Sequence, residues 1–74
     1  MENILTLKWL GRNDWERPVY DNGYGKLYVD VDPIRDRKPD ICTKNNNEFY
    51  GEPDMPVSEK YTGIIFIPKR DVWR

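Results

Sequence analysis

The chain has 74 residues, a length that fits one small domain, and 38% of them are hydrophobic. Its 12 Lys and Arg nearly balance its 13 Asp and Glu, so the net charge of −1 provides no overall field that would attract nucleic acid or an anionic membrane. One cysteine and no histidine exclude an internal disulfide and a cysteine nucleophile with a histidine base. We find no leader and no apolar run of membrane-spanning length, and therefore expect a cytoplasmic protein with no membrane partner.

The first predicted strand is ILTLKWL, residues 4–10. Apolar side chains fall on every second position from Leu5 to Trp9, a period of two that is typical of a half-buried strand. The next four residues, GRND, predict a turn.

A β-hairpin is predicted over residues 15–32, WERPVYDNGYGKLYVDVD. Tyr20 and Tyr28 alternate with valines in its two arms, and Asp30 and Asp32 are expected to point outward. The centre, DNGYG, tolerates positive φ and predicts a turn longer than two residues.

Two loops are predicted after the hairpin. Prolines and charges in residues 33–40 interrupt regular structure, so this segment is expected to be exposed. Residues 41–56 are polar and lack a clear period, which predicts an irregular crossing, with room for one short helix within 44–60. We interpret Cys42, at the start of this crossing, as a structural residue.

The last predicted strand is GIIFIP, residues 63–68, whose continuous apolar character indicates a central strand. Residues 69–74 are predicted to form a flexible polar tail. For Trp73 in this tail, packing onto the domain is favoured over docking to a partner.

These elements predict a mainly β fold: a single small domain, residues 1–74, with four or five mostly antiparallel strands in a curved sheet or small barrel. The aromatic residues expected to contribute to the core are Trp9, Trp15, Tyr20, Tyr28 and Phe66. The sheet is expected to close around Trp9, Val19, Leu27, Val29, Ile65 and Ile67.

We predict no enzyme, cofactor or metal site. Asp30, Asp32 and Asp36 lack the spacing of a calcium loop, and GYG at 23–25 lacks the third glycine of a dinucleotide site. A miniature hydrolase using Glu48 or Glu52 is a minor alternative. So short a chain has few residues with which to enclose a carboxyl group and raise its pKa by desolvation.

A nucleic-acid-binding small β-barrel is the second hypothesis for function. Its basic patch would comprise Arg35, Arg37, Lys38, Lys44, Lys69 and Arg70. The balance of charges disfavours it, because modules that bind single strands are usually more basic.

The order of the segments WLGRNDWERPVY, GKLYVDVDP, ICTKNNNEFYGEPDMPV and IIFIPKRDVW resembles the small domains described as large-polyvalent-protein-associated, found in proteins of conjugative elements and phages. The resemblance covers nearly the whole chain. It implies a non-catalytic accessory protein, encoded on a bacterial mobile element, that accompanies DNA-transfer or anti-restriction machinery.

The leading hypothesis is a non-catalytic protein-interaction module whose partner is another protein. The long, polar loops 33–40 and 44–56 are its expected contact surface. The candidate residues in these loops are Arg35, Arg37, Lys38, Lys44, Glu52 and Asp54. The oligomeric state stays open, because an unpaired edge strand could also pair with a second copy.

Overall fold

A computed structural model describes residues 3–73 as one open, six-stranded sheet with the strand order β5-β4-β3-β2-β1-β6. The strands are β1 (Ile4–Arg12), β2 (Pro18–Asp21), β3 (Leu27–Asp30), β4 (Ile41–Thr43), β5 (Met55–Pro56) and β6 (Gly63–Ile67). Only β1 and β6 pair in parallel, and the other four neighbouring pairs are antiparallel. The predicted mainly β fold with a curved sheet is confirmed, but the sheet does not close into a barrel and has six strands rather than four or five.

The helix expected within 44–60 is a single 3₁₀ turn, Ser58–Lys60. The two unpredicted strands, β4 and β5, have three and two residues. Strands this short contain too few residues for a period of two to be recognised. The sequence therefore indicated an irregular crossing at the place where the sheet continues.

The central hairpin joins β2 to β3 through a five-residue turn, as predicted. The Asn22 N–H donates to the Lys26 carbonyl at 3.2 Å, and the Asn22 side chain accepts the Tyr24 N–H at 2.8 Å. Gly23 and Gly25 both have φ near 89°, a region that glycine enters without steric cost.

The main core lies on one face of the sheet, which we call the inner face. Its buried side chains are Leu5, Leu7, Tyr20, Tyr28, Ile41 and Val57, with Tyr61, Ile64 and Phe66 packed against them. The rings of Tyr20 and Phe66 lie 5.0 Å apart. This pair links β2 to β6 across β1. Burial of a large aromatic side chain removes much apolar surface from water, so the contact stabilises this part of the sheet.

Alternation along the strands places Val19, Val29 and Cys42 on the opposite, outer face, where all three are buried. The loop between β4 and β5 reaches this part of the sheet, since its Phe49 lies 3.8 Å from the position that a Cβ would take at Gly11, which pairs with Val19. The predicted burial of Val19 and Val29 is confirmed, and Leu27 is half-buried.

Three residues predicted to lie in the core are instead exposed: Trp9 at 44%, Ile65 at 50% and Ile67 at 44%. Ile65 and Ile67 pair with Thr6 and Lys8, on the outer face, and no covering loop reaches them. A wholly apolar strand gives no sign of which face is buried, so its register could not be read from the sequence. Trp9 lies on the inner face, but beside a bulge at the end of the core.

Trp15, also predicted to contribute to the core, is exposed. Its ring lies 5.3 Å from the Arg17 guanidinium, which is within the range of a cation–π contact.

The segment after β6 returns across the inner face of the sheet. The Asp71 N–H donates to the Tyr20 hydroxyl at 2.9 Å, and the Trp73 N–H donates to the Pro33 carbonyl at 2.7 Å. The Trp73 indole donates to the Glu16 carbonyl at 2.6 Å. Trp73 is thus hydrogen-bonded to the domain, although its side chain is 37% exposed. The flexibility predicted for residues 69–74 stays a prediction, and Arg74 lies outside the described residues.

Candidate functional site

The six residues of the predicted contact surface do not form one surface. Loop 33–40 precedes β4 and loop 44–54 follows it, so the two loops join that strand at opposite ends. Arg35, Arg37 and Lys38 lie at one end of β4, and the other three predicted residues lie beyond its opposite end. The connection between the strands therefore divides the predicted surface into two groups.

The three basic residues of loop 33–40 are exposed and have different surroundings. Arg35 lines a cleft beside the segment that follows β6. Arg37 forms an ion pair with Asp32 at 3.5 Å. Lys38 lines a separate groove beside the 3₁₀ turn.

Lys44, predicted to lie on the contact surface, is buried. Its ammonium group donates to the Tyr50 carbonyl and lies 2.8 Å from the position that a Cβ would take at Gly51. Gly51 has a φ of 95°, so the loop folds back over the lysine in a conformation that favours glycine. Lys44 therefore serves the internal structure of its loop.

The two predicted acidic residues are exposed. Glu52 lies 3.8 Å from the Arg17 guanidinium, and Asp54 makes no ion pair within residues 3–73. Glu48, which with Glu52 is the candidate of the miniature-hydrolase hypothesis, is exposed as well, so neither carboxyl group is enclosed in the way that desolvates a catalytic acid.

The most distinctive site is a surface cleft of about 380 Å³ between the end of β1, loop 33–40 and the segment after β6. Its lining residues are Trp9, Arg12, Arg35, Pro68, Lys69, Arg70, Asp71 and Val72. We call it the Trp9 cleft. Four of these residues are cationic and one is a carboxylate, which contrasts with the net charge of −1 of the whole chain.

The wall formed by β1 is organised around Asp71. Arg12 donates to both carboxylate oxygens, with distances of 2.9 Å from Nε and from Nη2, and the Trp9 indole N–H donates at 3.1 Å. The hydrogen bonds from Arg12 lower the pKa of Asp71 below its ordinary value and raise the pKa of Arg12. A bidentate pair of this kind fixes the orientation of the Asp71 carboxylate. The indole that donates to this carboxylate is therefore held in place.

The opposite wall is held by a buried ion pair that the sequence analysis missed. Asp30, predicted to point outward, is 0% exposed and accepts a hydrogen bond from Arg70 Nε at 3.0 Å. Arg70 also donates to the carbonyls of Arg37 and Asp32, at 2.7 and 3.0 Å. Burial raises the pKa of Asp30, and the charge of Arg70 opposes that rise.

Two cations in the Trp9 cleft remain available for a ligand. Arg12 is paired with Asp71, and Arg70 with Asp30. Arg35 and Lys69 are exposed and make no ion pair with any residue from 3 to 73. The lining thus combines two uncompensated positive charges with an exposed indole.

The second notable surface is the free edge of β6. Among residues 3–73 this strand has one neighbour in the sheet, β1, and it contains no charged residue and no proline. Its outer-face side chains, Ile65 and Ile67, are both exposed. Natural sheet edges usually carry charges, prolines or bulges that prevent further pairing, and β6 has none of these.

The single cysteine does not have the features of an activated nucleophile. Burial raises the pKa of the Cys42 thiol to about 11, which keeps it protonated at neutral pH. Residues 3–73 contain no group of three or more His, Cys, Asp or Glu side chains arranged to hold a metal ion. No helix in this range is long and apolar enough to cross a membrane.

Comparison with known proteins yields no relative: no family model, no curated protein and no solved structure matches the chain. The resemblance to large-polyvalent-protein-associated domains thus stays a prediction.

Proposed function

We propose that the protein is a non-catalytic interaction module that binds an extended segment of another protein along the free edge of β6. The observation that carries this proposal is an uncharged five-residue edge strand with Ile65 and Ile67 exposed beside it. An added strand gains main-chain hydrogen bonds from such an edge, and its alternate side chains gain apolar contacts on the outer face.

The geometry of the loops supports the choice of this edge over the predicted loop surface. Part of loop 44–54 is committed to internal contacts: Asn47 donates to the Gly25 carbonyl and accepts the Leu27 N–H, each at 2.8 Å. Groups that are already hydrogen-bonded inside the protein gain little from a partner. Along the exposed edge of β6, no strand among the described residues takes up the outward-facing backbone groups.

The biological setting is part of the proposal and rests on the resemblance described above. It is that of an accessory protein, encoded on a bacterial mobile element, that acts in the cytoplasm by binding a component of a larger assembly.

The test is selection of short random peptides displayed on phage, followed by NMR titration of the labelled protein. We expect the selected peptides to carry apolar residues at alternate positions and to shift the amide resonances of residues 63–67. Ile67→Asp should weaken their binding at least about tenfold, because it places a charge beside the added strand. Met55→Asp is the matched control, since Met55 is also 44% exposed but lies on the other edge of the sheet.

Peptides that bind Ile67→Asp as tightly as the unmodified protein would overturn the proposal, as would shifts confined to the loops. Selection that enriches no peptide would also count against it.

A further inference from the structure

The Trp9 cleft has no role in the proposed protein contact, and its composition suggests a ligand of its own. We propose that it binds one nucleotide unit of a single-stranded nucleic acid, with the base against Trp9 and the phosphate between Arg35 and Lys69. This inference concerns a different surface from the β6 edge and does not depend on it.

The charges of the cleft argue for an anionic ligand. Arg12 and Arg70 are neutralised by Asp71 and Asp30, at 2.9 and 3.0 Å, so they shape the walls. Arg35 and Lys69 form no ion pair with any described residue. Cations at the edge of a concave surface attract anions locally even where the net charge of the protein is slightly negative.

The indole argues for a planar ring beside the anion. Trp9 is 44% exposed although it lies on the same face as the core residues Leu5 and Leu7. Its N–H is directed to Asp71, which prevents free rotation of the side chain. An exposed aromatic side chain beside a cationic groove is the arrangement on which single-stranded nucleic acids stack their bases.

The size of the cleft agrees with this ligand. About 380 Å³ falls at the lower end of the range of small-molecule sites, about 300–1,000 Å³, and is suited to a single base and its phosphate. The walls are already fixed by hydrogen bonds, including that from the Asp71 N–H to the Tyr20 hydroxyl. The ordering that binding requires is therefore confined mainly to the side chains of Arg35 and Lys69.

The test is a titration with a short fluorescein-labelled oligothymidylate at several salt concentrations, followed by anisotropy and by the NMR signal of the Trp9 indole N–H. We expect the indole signal to shift. If two phosphate contacts are made, log K should fall with log salt with a slope of about −1.4.

Three variants locate the binding. Arg35→Ala/Lys69→Ala should weaken binding at least about tenfold and bring the salt slope close to zero. Trp9→Leu should weaken it about tenfold while leaving most of the slope unchanged. Lys38→Ala/Lys60→Ala is the matched control, because it removes the same charge from exposed positions outside the cleft and should change affinity less than about twofold.

A parallel titration with AMP distinguishes a strand from a free nucleotide, since both offer a base next to a phosphate. Equal affinity for AMP would assign the cleft to free nucleotides, and much weaker binding of AMP would assign it to a strand. The proposal is overturned if the indole signal does not move, or if the control double variant loses as much affinity as Arg35→Ala/Lys69→Ala.

Discussion

The two edges of the sheet have opposite designs. β5 has only two residues, Met55 and Pro56, and the proline removes one of the few backbone donors that another strand could use. β6 has five residues without charge or proline. A short edge strand with a proline prevents pairing with a further strand, whereas a longer, apolar edge strand favours such pairing. Only the β6 side of this sheet is therefore suited to strand addition.

The edges also differ in how they are held. Val57, which follows β5, is buried in the core, and its N–H donates to the Ile41 carbonyl at 2.8 Å. The segment that follows β6 is held by two ion pairs, Arg70 with Asp30 and Asp71 with Arg12, in addition to its uncharged hydrogen bonds. The residue after β5 is thus anchored by apolar burial, whereas the segment after β6 depends on charged groups as well, a contrast that substitutions can test.

Arg70→Ala should have the largest effect, since it removes the partner of the buried Asp30. We expect a loss of about 3–5 kcal/mol in the free energy of unfolding, because the remaining carboxylate would be buried and uncompensated. Urea unfolding would measure it. Arg37→Ala is the control: its ion pair with Asp32 is largely exposed and should contribute less than about 1 kcal/mol.

Because Arg70→Ala could prevent folding, a second variant is informative. Asp30→Asn/Arg70→Met removes both charges and should be more stable than Arg70→Ala. If the free energy of unfolding of Arg70→Ala lies within about 0.5 kcal/mol of that of the unmodified protein, the segment after β6 is anchored in another way.

Val57→Ala tests the apolar anchor of the β5 edge. It removes two methyl groups from a buried position, so we expect a loss of about 1.5–2.5 kcal/mol from transfer and cavity terms together. Met55→Ala, at an exposed position of the same edge, should cost less than about 0.5 kcal/mol. Equal costs in urea unfolding would contradict the assignment of the anchor to Val57.

Local patterns predicted the central part of this fold well. β1 and the hairpin show alternation and turn chemistry that depend on neighbouring residues only. β6 was recognised as a strand, but its register depends on pairing with β1 nearly sixty residues away, and its apolar sequence fits either face. The predicted central position of this strand is wrong, because β6 lies at an edge of the sheet. A continuous apolar run is typical of a strand with neighbours on both sides, but here it leaves one edge of β6 without a partner among residues 3–73.

The candidate site was predicted in part. Arg35, Lys69 and Arg70 belonged to the predicted basic patch, and the fold brings them to one cleft. Trp9 was assigned to the core because its alternation continues that of Leu7, and only the packing beyond the bulge leaves it exposed. The burial of Asp30 depends on a guanidinium forty positions later in the chain, a long-range pairing that no local pattern indicates.

Acidification should release the β6 side of the molecule before the β5 side, although the effect is the smallest of the three. Arg12 lowers the pKa of Asp71, so their contact stabilises the fold above the ordinary carboxyl pKa of about 3.9 and is lost as the pH falls through the lowered value. NMR titration of the Asp71 carboxyl carbon should give a midpoint below about 3.9, and Arg12→Gln should raise that midpoint. Resonances of residues 71–73 should move with it, while those of 55–57 stay in place. Burial raises the pKa of Asp30, so the contact of Arg70 with Asp30 is expected to change at a higher pH than this midpoint. A midpoint that Arg12→Gln leaves unchanged would mean that the segment after β6 does not depend on this ion pair.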